Sequence, residues 1–199
     1  MNDEERHAAG TPAPLITYES AKLGIWAFLA TEVLLFGGLF TAYTVFRIKY
    51  PEMFHEEHLK LNRGFGAVNT VVLICSSLTV AMAIASIRRG KERLLKLFLS
   101  STIAFGAVFM AIKAFEYGEH FAAGEYPATN IFFSLYFMMT GLHGLHVLAG
   151  MAALSAVLYM SARGRFSAEY STPVEITGIY WHFVDLVWIY LFPMLYLIG

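Results

Sequence analysis

The chain has 199 residues, of which 57% are hydrophobic and 15% charged, and its formal net charge is −1. Soluble domains carry about 25% charged residues, so the composition predicts an integral membrane protein and gives no reason to expect nucleic-acid binding. The single cysteine, Cys75, excludes a disulfide framework and any metal site built on paired cysteines.

Five apolar segments are long enough to cross a bilayer, whose hydrocarbon core of about 30 Å requires about 20 helical residues. They cover residues 23–46, 65–87, 94–115, 131–162 and 175–198. We predict an all-α bundle of five transmembrane helices over residues 23–199. A polar tail over residues 1–22 precedes it and lacks the features of a signal peptide. Because no soluble domain fits in the remaining chain, a self-contained enzyme is disfavoured.

The first predicted helix carries one ionisable residue at membrane depth. Glu32 lies about 14 Å along the helix axis from Leu23 and is therefore near the bilayer midplane. This helix must end before Pro51, which cannot continue the hydrogen-bond ladder. The segment that follows contains His55 and His58, whose spacing is wrong for the zinc-peptidase motif. We expect a solvated loop without a metal there.

The second and third predicted helices carry polar residues suited to packing. Residues 65–87 include small polar side chains, which allow close helix contact and hydrogen bonds between helices. The third helix ends with Lys113 and Glu116 at i, i+3 spacing, so a local ion pair is expected.

The loop charges predict the orientation, because lysine and arginine favour the cytoplasmic side. One side has Arg6, Lys22, Arg88, Arg89, Lys91, Arg93, Lys96, Arg163 and Arg165. The other side has only Arg47, Lys49, Lys60 and Arg63, with Lys113 inside or near the end of the third helix. We therefore predict a cytoplasmic N-terminus, a periplasmic C-terminus and an external loop at residues 118–130.

The fourth predicted helix contains two histidines three residues apart, His143 and His146. Gly141, Gly144 and Gly150 surround them, and we expect these glycines to allow another backbone to approach. Ionisable groups in hydrocarbon face the interior of a bundle or a cavity. The helix should therefore turn its histidines towards its neighbours.

The fifth predicted helix repeats this pattern with His182 and Asp185, which are also three residues apart and can pair with each other or bridge to a neighbour. Trp181 and other aromatic residues make the helix a bulky wall, and Pro193 should kink its outer end. Together with Glu32, these positions predict that the first, fourth and fifth helices pack against one another.

Three chemical interpretations fit these residues. The histidines could be structural and hydrogen-bonded within the bundle, or a haem b could lie between His143 or His146 and His182. A third possibility is a proton relay or ion carrier that uses Glu32. Against a full transporter, the sequence has no inverted repeat and no matching pair of glycine-broken helices.

Four motifs resemble subunit III of the haem-copper oxidases in their order and spacing. They are Thr31-Glu32-Val-Leu-Leu-Phe36, Phe115-Glu116-Tyr117, Gly141-Leu-His143-Gly-Leu-His146-Val and Tyr180-Trp181-His182-Phe183-Val-Asp185-Leu-Val-Trp188. The similarity extends from about Leu23 to the end of the chain. Subunits of the mitochondrial type have seven helices, so this chain resembles the five-helix bacterial form, in which another subunit can supply the missing helices.

The resemblance implies a non-redox accessory subunit of a proton-pumping terminal oxidase of aerobic respiration, in the bacterial plasma membrane. Haems and copper would reside in partner subunits, with direct contact to subunit I and with subunit II and small subunits in the same complex. Such a subunit supports the stability of subunit I, proton uptake and oxygen access, and it binds phospholipid. Glu32 matches the family's glutamate that reacts with carboxyl reagents near subunit I. The residues implied to shape the bundle and its lipid cleft are Glu116, His143, His146, Trp181, His182 and Asp185.

Overall fold

A computed structural model describes residues 13–166 and 170–198, which contain six α-helices and no strand. The helices are α1 (Ala13–Lys49), α2 (Pro51–His58), α3 (Arg63–Arg88), α4 (Glu92–Ala122), α5 (Ile131–Ala162) and α6 (Thr172–Phe192), and a π-helical turn follows at Pro193–Leu197. Five of the helices are long and apolar enough to cross a membrane. The predicted all-α bundle with five membrane spans is therefore confirmed.

The first helix begins earlier than its apolar segment. Its membrane-compatible part is Lys22–Lys49, but the helix already starts at Ala13, inside the segment expected to be a polar tail. Pro14 is tolerated there because the first turn of a helix has no internal partner for its N–H groups. The rest of the expected tail, residues 1–12, lies outside the described residues.

The segment after α1 is not the solvated loop expected from its polarity. Pro51 at the first position starts the short helix α2, whose Phe54 is fully buried. The Phe54 ring packs edge-on against Tyr43 at 5.2 Å and Phe132 at 5.4 Å between centroids. Phe54 thus packs α2 against α1 and α5, and the charged residues around it in the sequence make the segment look like a loop.

The helix α6 has the central place in the bundle, in contact with α1, α3 and α5. Its Trp181 indole lies between two glycines. A Cβ atom at Gly150 would be 2.7 Å from the ring, and one at Gly106 would be 2.9 Å from it. At Gly141 and Gly144 the nearest atoms would be 3.8 Å away, so the close approach expected at all three α5 glycines occurs only at Gly150, where the neighbour is a side chain.

The C-terminal end of α6 departs from α-helical geometry at Pro193, which lacks an N–H group. The α-helix ends at Phe192 and the chain continues as a π-helical turn, closed by a bond from Ile198 N–H to the Pro193 carbonyl at 2.9 Å. The Tyr43 hydroxyl donates to the Met194 carbonyl at 3.0 Å and ties the turn to α1. This turn buries Tyr196 in the bundle.

The predicted orientation can be checked with single cysteines in exposed loops at opposite ends of α4. After replacement of Cys75, Arg89→Cys should react with an impermeant thiol reagent only in opened cells, because the basic α3–α4 connection favours the cytoplasm. Ala128→Cys, in the α4–α5 loop, should react in intact cells. Labelling of position 89 but not 128 in intact cells would mean that the topology is inverted.

Candidate functional site

The first polar contact at membrane depth joins α1 to α5 through Glu32 and His146. The His146 Nε2 atom lies 3.0 Å from a Glu32 carboxyl oxygen, and Nδ1 lies 2.8 Å from the Leu142 carbonyl oxygen. The Tyr180 hydroxyl donates to the His146 carbonyl at 3.1 Å, and the Phe36 ring meets the imidazole edge-on at 5.3 Å between centroids. Three helices thus converge on this pair.

The geometry of this pair sets its proton count. A carbonyl oxygen only accepts hydrogen bonds, so Nδ1 of His146 carries a hydrogen and donates it to Leu142. The 3.0 Å contact between Nε2 and Glu32 then requires one proton between the two atoms. It belongs either to a neutral carboxyl group or to an imidazolium beside a carboxylate, and both forms leave the pair with no net charge.

The second polar group joins α3 to α6. The Trp181 indole N–H donates to the Ser76 hydroxyl at 3.0 Å, and Ser76 lies 3.4 Å from one carboxyl oxygen of Asp185. Next to this contact, the Ser77 hydroxyl meets Nδ1 of His182 at 2.6 Å. His182 and Asp185 therefore bridge to a neighbouring helix and form no hydrogen bond with each other.

The third group contains the ion pair predicted at the end of the third helix. Lys113 Nζ is 2.9 Å from Glu116, and both side chains are buried, at 6% and 1% exposure. The ammonium also donates to Tyr136 at 3.1 Å and Tyr196 at 3.0 Å. The other Glu116 oxygen accepts from Tyr196 at 2.6 Å and Tyr136 at 3.0 Å. The ion pair is confirmed, and it forms part of a four-residue network.

Lys113 is further surrounded by aromatic rings. Its Nζ atom lies between 5.0 and 5.7 Å from the ring centroids of Tyr117, Tyr136, Trp188 and Tyr196. Ring faces attract a cation and do so more strongly when water is absent. The cage thereby compensates part of the hydration that Lys113 loses on burial.

A smaller polar group lies at the C-terminal end of α4 and in the loop that follows it. His120 Nδ1 meets Glu125 at 2.5 Å, and Lys60, which follows α2, lies 3.7 Å from the same carboxylate. Lys60 also binds Glu57 at 2.7 Å. This hydrogen bond to Glu57 raises the pKa of the lysine ammonium above its usual value.

His143 has a different environment from the other histidines. It is fully buried, with ring centroids of Phe109 at 5.5 Å and Trp188 at 5.3 Å, and neither ring nitrogen has a hydrogen-bond partner in the described part of the chain. The hydrogen-bonded structural role expected for the histidines is therefore seen at His146 and His182 but not at His143.

The ionisable residues singled out from the sequence thus belong to separate groups rather than to one cluster. Sequence reasoning did not assign Lys113, Tyr136 and Tyr196 to the Glu116 network, and it treated Ser76 and Ser77 as packing residues. The i, i+3 spacing indicated the Lys113 pair, but the tyrosines come from other helices and gave no local signal. Across residues 13–166 and 170–198, no group of three or more His, Cys, Asp or Glu side chains is placed to hold a metal ion.

Comparison with known proteins gives a consistent result. The family model described as cytochrome c oxidase subunit III matches residues 5–199. The chain is 37% identical to cytochrome c oxidase subunit 3 of Thermostichus vulcanus, over 88% of this chain and 86% of that protein. It is 33% identical to cytochrome bo(3) ubiquinol oxidase subunit 3 of Pseudomonas putida, over 89% and 85% of the two chains. A probable cytochrome c oxidase subunit 3 of Nocardia farcinica is 31% identical, over 96% and 98%.

The buried ion pair predicts an asymmetric response to substitution. Lys113→Met should destabilise the bundle by about 3 to 5 kcal/mol, because it leaves the Glu116 carboxylate buried without its counter-charge. The double variant Lys113→Met/Glu116→Gln should recover most of this loss, since an amide oxygen still accepts from the two tyrosines. The measurement is the thermal dissociation of this chain from detergent-purified complex. Equal destabilisation of the single and double variants would contradict the prediction.

Proposed function

Since this chain belongs to the cytochrome c oxidase subunit III family, we propose that it stabilises the catalytic subunit I of the oxidase and supports its proton uptake and oxygen access. The chain is an accessory subunit of a haem-copper respiratory oxidase and a multi-pass protein of a bacterial membrane. Subunit II and small subunits complete the proposed complex. We assign the haems and copper to partner subunits and only phospholipid to this chain.

The hydrogen bonds made by the histidine ring nitrogens within the bundle are the observation that supports a non-redox role. Both ring nitrogens of His146 are engaged, by Leu142 and Glu32. Nδ1 of His182 is engaged by Ser77. An axial haem ligand must direct a ring nitrogen at the iron, and His146 has none free for this purpose. His143 has unpaired ring nitrogens, but its side chain is fully buried against the rings of Phe109 and Trp188. These histidines therefore act as contacts between helices.

The face of α1 is proposed to contact subunit I. Only 11% of the most apolar stretch of this helix is buried within the chain, the smallest share among the five membrane spans. Its outward residues include Leu23, Leu34 and Ile48, each more than 70% exposed. Glu32 lies on the same helix and is only 13% exposed at its side chain. The glutamate thus lies just behind the apolar surface proposed to meet subunit I.

Purification of the complex through a tag on this chain tests the assigned function. In mild detergent, a large haem-copper subunit should co-purify, and removal of this chain should leave the haem absorption per catalytic subunit unchanged. A Soret band that stays with the separated chain would instead identify a haem-binding subunit. Absence of the large subunit from an otherwise intact preparation would favour an ion carrier.

Glu32 is proposed to contribute to the environment of subunit I without supplying an obligatory proton. Glu32→Gln keeps a hydrogen-bond donor for Nε2 of His146, so the complex should assemble and its oxygen-reduction rate should fall less than about tenfold, or about 1.4 kcal/mol. Glu32→Ala leaves Nε2 unpaired at a cost of about 1 to 3 kcal/mol and should weaken retention of the subunit. Complete loss of oxygen reduction in a normally assembled Glu32→Gln complex would show that the assignment is wrong.

A further inference from the structure

The turn between α3 and α4 is strongly basic. The helix α3 ends at Arg88 and α4 begins at Glu92, so only three residues connect them. Around this connection, residues 88–96 contain one acidic residue, Glu92, and several basic ones. The basic residues are Arg88, Arg89, Lys91, Arg93 and Lys96.

The carboxylates near this turn are already used. Arg88 pairs with Glu175 at 3.0 Å, and Lys96 lies 3.8 Å from Glu92. Three further cations are exposed to the surroundings and have no acidic partner among the described residues; we call them the turn cations. They are Arg89, Lys91 and Arg93.

The backbone holds the turn cations in defined positions. The N–H groups of Arg89 and Lys91 both donate to the Ser86 carbonyl, at 3.2 and 2.9 Å, and the Gly90 N–H donates to the Ile87 carbonyl at 2.9 Å. Gly90 has a φ of 67°, a left-handed conformation that glycine adopts without strain. The turn is therefore closed by its own hydrogen bonds, and little backbone freedom is lost when its side chains bind a ligand.

Basic residues at the opposite end of the bundle are engaged differently. Lys60 pairs with Glu57 at 2.7 Å, and Arg63 Nη2 lies 3.3 Å from Nε2 of His58. These side chains use their N–H groups within the chain. The turn cations instead direct theirs outwards, which is the arrangement needed to bind an external anion.

The depth of the turn indicates which anion is available. The helix α3 has 26 residues and is therefore about 39 Å long at 1.5 Å per residue. The hydrocarbon core of a bilayer is about 30 Å thick, or about 40 to 45 Å with its headgroup layers. A helix of this length that is centred in the core ends within the headgroup layers. The turn cations follow its last residue and thus lie at the level of the lipid phosphates.

We propose that the turn cations bind the phosphate groups of anionic phospholipids in the leaflet on their side of the membrane. The proposal rests on the phospholipid binding proposed above and gives it a place, the exposed end of the α3–α4 hairpin rather than a cleft between helices. Arg89 and Arg93 can each donate two hydrogen bonds to one phosphate, while Lys91 adds a point charge. Zwitterionic lipids bind less well because their own cationic group offsets the phosphate.

Labelling with photoreactive lipids in the assembled oxidase tests the proposal. The complex is placed in nanodiscs of phosphatidylcholine that contain a trace of a phosphatidylglycerol or phosphatidylcholine probe, each with the same photoreactive group near its headgroup. We expect the anionic probe to label residues 86–96 at least fivefold more than the zwitterionic probe, and the preference to shrink at high ionic strength. Mass spectrometry of the labelled peptides measures both yields.

Two results of this labelling would overturn the proposal. The first is equal labelling of the turn by both probes. The second is no labelling by either probe while Lys91 is also unreactive towards a soluble amine reagent, because another subunit then covers the turn. The catalytic subunit is detected in the same sample, so a failure of lipid binding is distinguished from a failure of the proposed function.

Substitutions assign the preference to the turn cations. Lys91→Gln should lower labelling by the anionic probe about fivefold, the contribution of one basic residue near an anionic surface. The matched control Lys49→Gln, at the end of the first membrane span, should leave labelling of the turn unchanged. Unchanged labelling in Lys91→Gln would refute the role of this lysine.

The triple variant Arg89→Gln/Lys91→Gln/Arg93→Gln should remove the preference for the anionic probe altogether. It leaves six of the nine basic residues on this side of the membrane against four on the other, so the orientation should be retained. A preference that persists in the triple variant would show that the lipids bind elsewhere. If the triple variant fails to insert, the comparison of Lys91→Gln with Lys49→Gln decides the proposal.

Discussion

The structure depends on one constraint, namely that polar groups placed in hydrocarbon must find partners inside the protein. Three of the polar groups do so across a helix boundary. Glu32 and His146 join α1 to α5, while Ser76 and Trp181 join α3 to α6. The Lys113 network joins α4 to α5 and to the turn after α6. The positions of the ionisable residues therefore determine which helices are neighbours.

Hydrogen bonds between membrane helices contribute only about 0.6 kcal/mol each on average, so these contacts select the arrangement more than they stabilise it. Close packing of side chains supplies the stabilisation that these hydrogen bonds lack. The Trp181 indole fills the space left by Gly106 and Gly150, and it is fully buried while its N–H reaches Ser76. The same residue thus provides apolar contact with α4 and α5 and a polar contact with α3. This double use explains why α6 occupies the centre of the bundle.

Sequence reasoning succeeded where the signal was local or set by bilayer thickness. It identified the five spans, the Lys113–Glu116 pair at i, i+3 and the departure from regular α-helix at Pro193. It failed at α2, because one buried Phe54 among charged residues has no periodic pattern to reveal it. The polar residues that the resemblance brought together lie in separate groups of the bundle. Spacing along a helix shows which residues share a face, but the partner helix of each, such as Ser77 for His182, depends on packing that only the assembled bundle determines.

The buried carboxyl groups of Glu116 and Asp185 differ in how many of their oxygens are hydrogen-bonded. The Lys113 network saturates both carboxyl oxygens of Glu116 and is sealed by aromatic rings, so it is complete within this chain. Asp185 is as well buried, but its Oδ1 atom has no hydrogen-bond partner among the described residues, and its other oxygen is 3.4 Å from the Ser76 hydroxyl. An unsatisfied buried acceptor costs about 1 to 3 kcal/mol. The Lys113 network is therefore the more stabilising of the two arrangements.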